Sequence, residues 1–366
     1  MRIGLVLEPY EESHASGMAF VVLELAKRLP LLAEGDTVVL YSSRPVTPGL
    51  IPGVYENVIV PAGFFGKFFW FRKLRKADVD VLVFVAPLLS FLIHPSIKTL
   101  IICQELSSQN IAPKKVRDKL VAFLRDRILA PRTLTRATHI ITPSEATRQD
   151  VITHYRVAQE RIHVVPNGFQ DLRVYESSAT PVDAAMVPYF FFAGATKYRK
   201  NVHGIVRAFI MLRKKGLNAK LVIAGGHGEK GGPYTQGLLQ ELDEAGLRKD
   251  AFFVGYINRE QLYAYYKQAV ALVFPSFSEG FGMPIIEAMN LGTPVVTSNY
   301  SAMAEVGGDA ALLVDPHDPA DIAVAMEQLL VDDSVRTQCV ERGLARAKLY
   351  SWDDSAAQYL ETARQL

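Results

Sequence analysis

The stretch 269–290 places a strand-length apolar run, a glycine-containing loop and a helix start in direct succession. The run ends at Phe274, the loop reads PSFSEGFG, and Pro284 opens a helical segment. Proline is tolerated at the first position of a helix because the N–H that it lacks has no intrahelical partner there. This order directs bare backbone N–H groups and the positive end of a helix dipole at the loop, as in anion sites. The residues predicted to hold the anion are Gly280, Phe281, Gly282 and Met283.

Two carboxylates, Glu279 and Glu287, stand eight residues apart on this loop and helix. A carboxylate beside a diphosphate would be repelled, so both are predicted to face neutral hydroxyls, as an acidic residue faces ribose in dinucleotide sites. Taken singly, Glu287 also has a structural explanation, since a helix dipole alone favours an acidic residue in the first turn. Taken together, the loop, the helix start and the carboxylates indicate a ligand with both phosphate and sugar, which is a nucleotide-sugar.

A basic stretch, GATKYRKN at 194–201, follows the first apolar strand of the second half of the chain. Its cations are Lys197, Arg199 and Lys200. Lysine and arginine together neutralise a diphosphate, and an arginine can do so through a bidentate fork. Taken alone, the stretch is typical of a solvated basic turn before a helix. Taken with the glycine loop, it indicates a second part of one phosphate site.

These stretches resemble the retaining glycosyltransferases of family 4, which carry two glutamates at this spacing, E-x7-E. The letters GFGMPIIEAM match the family's loop and helix almost completely, and Lys200 matches the family lysine. The resemblance implies the GT-B fold, an α/β architecture of two Rossmann-like doubly wound domains that face a cleft. It also implies a hexosyltransferase that uses a nucleotide-diphosphate sugar as its substrate and needs no cofactor.

The resemblance also implies roles for individual residues. Lys200 and Arg199 are expected to stabilise the leaving diphosphate, and Glu279, the third catalytic residue, to contact the hydroxyls of the donor sugar. Glu287 is expected to hold the ribose hydroxyls. Retention would follow from front-face displacement, in which the leaving phosphate takes the proton of the acceptor and no metal ion takes part. The residues expected at the nucleotide base are Tyr256 and Ile257.

The chain departs from the family pattern at three places. Ala195 stands where a common family arginine is found, and a family variant with Arg-Lys-Asn together makes Arg199 the expected substitute. On the acceptor side, Gln104 and Glu105 replace the usual His-Asp, and a glutamine side chain hydrogen-bonds hydroxyls but carries no proton at neutral pH. The first strand–helix loop has one glycine, Gly17, where family members often have two. Two alternatives stay open, a nucleotide-sugar isomerase of the same fold and an inactive nucleotide-sugar-binding protein.

Length and composition indicate two hydrophobic cores and no nucleic-acid partner. The chain has 366 residues, of which 49% are hydrophobic, and a formal net charge of +2. We predict a first domain at 1–168, a linker at 169–187, a second domain at 188–350 and a final helix at 351–366 that packs on the first domain. The two cysteines lack metal-type spacing, which indicates a reduced, cytoplasmic protein.

Two basic stretches leave a peripheral membrane contact open. One, at 64–76, mixes aromatic residues with lysine and arginine, and the other is a predicted helix at 114–136. Basic amphipathic helices lie on anionic lipid surfaces, and the alternative is a core helix with a solvated face. No apolar run reaches the roughly 18 residues of a membrane span. The expected acceptor is a glycan or a lipid-linked glycan, and the Arg-Lys-Asn variant, common among mannosyl-type members, favours mannose linked to GDP or UDP.

Overall fold

The computed structural model describes residues 1–7, 17–61, 63–75, 78–85, 92–105, 129–226 and 228–366. These residues form two compact units. The first unit comprises Met1–Gly168 and Ser351–Leu366, and the second comprises Phe169–Tyr350. Each unit is built from a parallel sheet with helices between its strands.

The sheet of the first unit has the strand order β3-β2-β1-β4-β5-β6-β7. Its strands are β1 Arg2–Leu7, β2 Thr37–Ser42, β3 Glu56–Ile59, β4 Val81–Val85, β5 Lys98–Ile102, β6 His139–Thr142 and β7 Ile162–Val164. The helices described before the second unit are α1 Gly17–Leu32, α2 Gly63–Lys73, α3 Ala130–Arg136 and α4 Glu145–Tyr155. The inner strands are rich in Val, Ile and Leu and are buried, as expected for a parallel sheet covered on both faces, whereas the edge strand β3 is exposed.

The sheet of the second unit has the strand order β10-β9-β8-β11-β12-β13. Its strands are β8 Tyr189–Ala193, β9 Lys220–Ala224, β10 Ala251–Gly255, β11 Ala271–Phe274, β12 Val295–Ser298 and β13 Leu312–Val314. Its helices are α5 Val202–Lys214, α6 Pro233–Glu244, α7 Arg259–Gln268, α8 Met283–Asn290, α9 Ser301–Gly307, α10 Pro319–Val331 and α11 Asp333–Ala347. The aromatic strand β8 lies at the centre of this core, and all five of its residues are buried.

Each sheet has one point at which the order of successive strands reverses, between β1 and β4 in the first and between β8 and β11 in the second. Ligands of open α/β sheets bind beyond the carboxyl ends of the strands at such a reversal. In the second unit, the two loops at the reversal are 194–201 and 275–282, and both are described. In the first unit, the loops after β1 and β4 contain 8–16 and 86–91, which lie outside the described residues.

The final helix, α12 at Trp352–Arg364, belongs to the first unit. The ring of Trp352 packs edge-on against Phe20 of α1, with 5.9 Å between the ring centroids. The hydroxyl of Ser355 donates to the carbonyl of Pro166 at 2.6 Å. The chain therefore leaves the first unit after Gly168 and returns to it at the start of α12.

The predicted fold class, two Rossmann-like doubly wound α/β domains, is confirmed by the two sheets. Residues 169–187 lie in the second unit and contain two short 3₁₀ turns, Leu172–Tyr175 and Ala184–Met186. The predicted helix at 114–136 lies outside the described residues up to position 128, and α3 occupies its end. Within the described part of the chain, no helix combines the length and the apolarity that crossing a membrane requires.

Candidate functional site

Two loops of the second unit are tied together at the strand reversal. The N–H of Phe277, in the loop after β11, donates to the carbonyl of Arg199, in the loop after β8, at 2.9 Å. The side-chain nitrogen of Asn201 donates to the carbonyls of Pro275 at 3.0 Å and Pro316 at 2.6 Å. Its side-chain oxygen caps the start of α5. The basic stretch and the glycine loop are thereby held in one arrangement.

Asn201 has no role in the sequence analysis, although it ties these loops. It is fully buried and has a φ of 55°, a left-handed conformation that asparagine tolerates better than most residues. An asparagine directly before a helical run is a local signal for an N-cap, which would have placed it at the start of α5. Its bonds to two distant prolines depend on the strand order, and no local pattern indicates them.

A single carboxylate holds two cations of the basic stretch. The ammonium of Lys200 lies 2.6 Å from Glu279 Oε1, and the guanidinium of Arg199 lies 2.9 Å from Oε2. The side chain of Glu279 is 8% exposed, and those of Lys200 and Arg199 are 16% and 21% exposed. The Lys200 ammonium also lies 4.7 Å from the ring centroid of Phe274, within cation–π range. The carboxylate of Glu279 therefore joins the three predicted catalytic residues.

The charges of this cluster do not cancel. Burial raises the pKa of Glu279, but the attraction of Lys200 and Arg199 outweighs it, and the pKa of the carboxyl lies below its ordinary value. The carboxylate is thus ionised at neutral pH, and two cations against one anion leave an excess positive charge. Because the three side chains are largely withdrawn from water, this charge is weakly screened and attracts a multivalent anion.

Helix α8 begins without a cap from any described side chain. Its N-cap residue is Gly282, with a φ of 101°. A Cβ at this position would lie 3.0 Å from the side chain of Ile285, so both conformation and space favour glycine. Pro284 stands in the first turn, as predicted. Pro284 has no N–H, and the N–H of Ile285 donates to the carbonyl of Gly282 at 2.9 Å. The donor that the first turn offers to an anion at the end of the loop is therefore the N–H of Met283.

The residues around this cap contribute their backbone rather than their side chains. Phe281 is buried, and its ring meets Tyr350 edge-on at a centroid distance of 5.5 Å. Met283 packs against the same core, and Gly280 is buried. The packing of Phe281 and Met283 fixes the loop, so that the peptide groups between them keep one orientation.

Glu287, on α8, has a different environment from Glu279. It is buried, and its Oε2 accepts a hydrogen bond from the hydroxyl of Tyr266 at 3.2 Å. Burial raises the pKa of Glu287 above its ordinary value, against the opposing effects of Arg259 and of the Tyr266 hydrogen bond. One carboxylate of the site is therefore bound to cations, and the other is held by a neutral donor.

The two residues predicted near the base follow β10, two strands away from β8 along the same sheet edge. Tyr256 is exposed, whereas Ile257 packs against the core. Gly225 follows β9, which lies between β10 and β8, and Gly194 follows β8. A Cβ on Gly225 would lie 2.2 Å from the carbonyl oxygen of Gly194, so the backbone is tightly packed there. Among the described residues, no group of three or more His, Cys, Asp or Glu side chains could hold a metal ion.

The three predicted acceptor-side residues lie in the first unit. Gln104 follows β5 and exchanges two amide hydrogen bonds with the buried Asn167, one of 3.2 Å from Gln104 Nε2 and one of 2.7 Å to Gln104 Oε1. The reciprocal pair fixes the orientation of the glutamine, a contact that the sequence analysis missed because Asn-Gly is typical of a turn. Glu105 is exposed. Gly17 begins α1, next to a loop outside the described residues.

Two family models match the chain in succession. The model of glycosyltransferase family 4 matches residues 15–171, and the model of the glycosyl transferases group 1 matches residues 180–346. The chain belongs to glycosyltransferase family 4. The second match contains the basic stretch, the glycine loop and α8, so family membership and the geometry described above concern the same residues.

Among known relatives, the chain is 34% identical over 241 residues to the O-antigen chain mannosyltransferase B of Escherichia coli, a match that covers 64% of this chain and 62% of that protein. It is 30% identical over 234 residues to a D-inositol 3-phosphate glycosyltransferase of Paenarthrobacter aurescens, and this match covers 61% of this chain and 56% of that protein. The matches therefore span less than two thirds of the length of these relatives.

Solved structures of similar fold cover the whole chain. A sucrose-phosphate synthase from Thermosynechococcus elongatus has a TM-score of 0.74 at 21% identity and covers 100% of this chain and 98% of that one. HepE from Anabaena, in complex with UDP and glucose, has a TM-score of 0.74 at 16% identity and covers 100% of both chains. At these identities the likeness concerns the fold, and the predicted GT-B architecture is confirmed.

Proposed function

We propose that this protein is a retaining hexosyltransferase that moves a sugar from a nucleotide-diphosphate sugar to a hydroxyl of a glycan or lipid-linked acceptor. The proposal rests on the joint position of Lys200, Arg199 and the uncapped start of α8 at one strand reversal. Cations and backbone N–H donors in such a place bind a diphosphate. Family membership supports sugar transfer as the reaction.

In the proposed reaction, the bond between the anomeric carbon and the diphosphate oxygen breaks while the acceptor oxygen bonds to the same face of that carbon. The acceptor proton passes to the leaving phosphate oxygen, so no protein base is required and Gln104 is compatible with turnover. Negative charge grows on the leaving diphosphate, and Lys200, Arg199 and the N–H groups of 280–283 stabilise it. Preorganised stabilisation of this kind is often the largest single contribution to catalysis.

The two carboxylates divide the remaining contacts with the donor. We assign Glu287 to the ribose hydroxyls, because it already accepts a hydrogen bond from a neutral hydroxyl, that of Tyr266. Glu279 is assigned to the hydroxyls of the transferred sugar. Its carboxylate can accept from these hydroxyls after the diphosphate has bound Lys200 and Arg199 in its place. Mannose is the proposed sugar, since the relative from Escherichia coli is named as a mannosyltransferase. HepE, described with UDP and glucose, supports a nucleoside diphosphate as the leaving group.

The test combines binding and transfer. Purified protein is offered GDP-mannose, UDP-glucose and ADP-glucose in a thermal-shift panel, and the donor that binds is then supplied with a mannose oligosaccharide. We expect transfer that persists in EDTA and a product with the anomeric configuration of the donor, read by proton NMR. An inverted product contradicts retention, and strict dependence on a divalent metal contradicts the cationic mechanism. A sugar altered without acceptor indicates an isomerase, and saturable binding without turnover indicates a binding protein.

Glu287→Gln is expected to stabilise the protein and to weaken its hold on nucleotide. Because burial raises the folded-state pKa of Glu287, the ionised carboxylate opposes folding above its unfolded-state pKa, and stability returns as the pH falls. Glutamine removes this charge and should add about 0.5–2 kcal/mol to the free energy of unfolding at pH 7. Loss of a charged acceptor for ribose should weaken nucleoside diphosphate binding about tenfold. Urea unfolding and titration calorimetry measure the two effects.

A matched control for this change is Glu244→Gln, on the exposed face of α6, which should alter neither quantity. The gain in stability of Glu287→Gln should shrink as the pH falls through the raised folded-state pKa of Glu287, and it should be lost below the unfolded-state pKa of about 4.3. Unchanged nucleotide affinity in Glu287→Gln would remove the residue from the ribose site.

A further inference from the structure

Aromatic and histidine rings line one side of the two loops at the strand reversal, 194–201 and 275–282, at the carboxyl edge of the second sheet. The members of this aromatic row are Tyr234, His203, Tyr198, Phe277, His317 and Tyr300. Neighbouring ring centroids in the row lie 4.8–6.4 Å apart. The rings come from α5, from α6 and from the segments after β8, β11, β12 and β13. They thus follow the same edge as the anion site, and the functions assigned above use none of them.

Tyr198 and Tyr300 are exposed by 61% and 38%, yet each rests on a supporting ring. Tyr198 stacks on His203 at 4.9 Å with 16° between the planes and leans on Phe277 at 5.5 Å. The centroids of His203 and Phe277 are themselves 5.7 Å apart, so the two supporting rings also contact each other. With 61% of Tyr198 exposed, these contacts leave much of its ring open to solvent. Tyr300 lies nearly parallel to His317, with 13° between the planes.

The edges of the row are polar. The hydroxyl of Tyr300 lies 3.0 Å from Nε2 of His317, and the hydroxyl of Tyr234 accepts the backbone N–H of His203 at 3.1 Å. These bonds and the stacking hold the rings in fixed orientations, so little side-chain entropy is lost when a ligand binds. A lipid chain would bury such polar edges without hydrogen bonds, which is unfavourable. A pyranose ring matches both properties, since its faces carry C–H groups and its rim carries hydroxyls.

We propose that the aromatic row binds a sugar ring of the acceptor glycan and holds it beside the reacting groups. The row is continuous with the site, because Tyr198 directly precedes Arg199, and Phe277 donates its N–H to the Arg199 carbonyl two residues before Glu279. The proposal rests on the proposed function and makes it more specific. The acceptor is a glycan of several sugars, whose terminal sugar accepts the transfer while another sugar lies on Tyr198 or Tyr300.

The test compares Tyr198→Ala, Tyr300→Ala and the double variant with wild type. The double variant is expected to raise the KM for mannotriose about tenfold, the loss that two aromatic contacts would give, while the KM for mannose as acceptor changes by less than about twofold. Replacement of both tyrosines by phenylalanine keeps the ring faces and should restore most of the affinity. Leu349→Ala, at another exposed apolar side chain of the same unit, is the control and should leave both KM values unchanged.

Two further measurements distinguish binding of the acceptor glycan by the aromatic row from stacking of the donor base on it. Saturation-transfer NMR with free mannotriose reports glycan binding without turnover, so the row is tested even if the proposed reaction fails. Loss of the mannotriose signal in the double variant, with unchanged affinity for nucleoside diphosphate, supports the proposal. An unchanged KM and signal for mannotriose would overturn it. Weaker nucleoside diphosphate binding in the double variant would overturn it too, because the row would then stack the base of the donor.

Discussion

Lys200→Ala is expected to lower the turnover number for sugar transfer by about 10²-fold or more, at saturating donor. The ammonium lies 2.6 Å from Glu279 Oε1 and over the ring of Phe274, in a place largely withdrawn from water. A charge there interacts more strongly with the leaving diphosphate than an exposed charge would. Because that negative charge develops as the bond to the sugar breaks, loss of the lysine should affect the turnover number more than the affinity for the donor.

The same loop supplies the control for this prediction. Lys197 is exposed and lies three residues before Lys200, so Lys197→Ala removes an equal charge from the same segment without touching the cluster. It should retain a turnover number within about twofold of wild type, as exposed substitutions generally do. Donor affinity of both variants is measured by titration calorimetry, and product formation by NMR. Equal rates for Lys200→Ala and wild type would remove Lys200 from the reaction.

The local architecture of the site could be predicted from the sequence because it is encoded over about 20 consecutive residues. The apolar run ends at Phe274 in both the prediction and the structure, and α8 begins at Met283, one residue before the expected Pro284. The alternation of apolar strands with helices also determines the sheet class, since parallel strands require crossover connections with a constant hand. These rules place the segments after β8 and β11 at the same edge of the sheet, and the strand order of the structure makes the two strands neighbours.

The partners of the two glutamates could not be predicted in the same way. One argument, repulsion from a diphosphate, placed both Glu279 and Glu287 on neutral hydroxyls. In the structure, Glu279 lies on Lys200 and Arg199, whereas Glu287 lies on the hydroxyl of Tyr266. These contacts join segments far apart in sequence, and each depends on side-chain packing after the sheet has formed. Burial raises the pKa of Glu287, whereas Lys200 and Arg199 lower the pKa of Glu279 despite its burial, and no local pattern contains this difference.

Glu279→Gln is expected to tighten the binding of nucleoside diphosphate about tenfold and to lower the rate of sugar transfer by about tenfold to 10²-fold. The carboxylate of Glu279 occupies both Lys200 and Arg199, so a diphosphate must compete with it for the same two cations. Glutamine has the same shape without the charge, and the cations then attract the diphosphate more strongly. The transfer rate falls because glutamine is a weaker acceptor for the hydroxyls of the donor sugar.

Titration calorimetry with GDP and UDP measures the first effect, and initial rates of transfer measure the second. Glu287→Gln, on the neighbouring helix, is the matched comparison, since the same substitution there should weaken diphosphate binding. Weaker diphosphate binding in Glu279→Gln would show that its carboxylate supports the donor phosphates instead of competing with them.

The two glutamates should also differ in how they link stability to pH. The folded-state pKa of Glu279 is lowered by its cations, so it stabilises the protein above its unfolded-state pKa and loses this effect as the pH falls through the folded-state value. Glu279→Gln should therefore be less stable than wild type at pH 7, with a difference that closes on acidification. Glu287→Gln should be more stable at pH 7, because the sign of its pKa shift is opposite. The test is to measure the unfolding midpoints of both variants and of wild type between pH 3 and pH 8. If both substitutions changed the stability in the same direction, the two carboxylates would occupy equivalent environments.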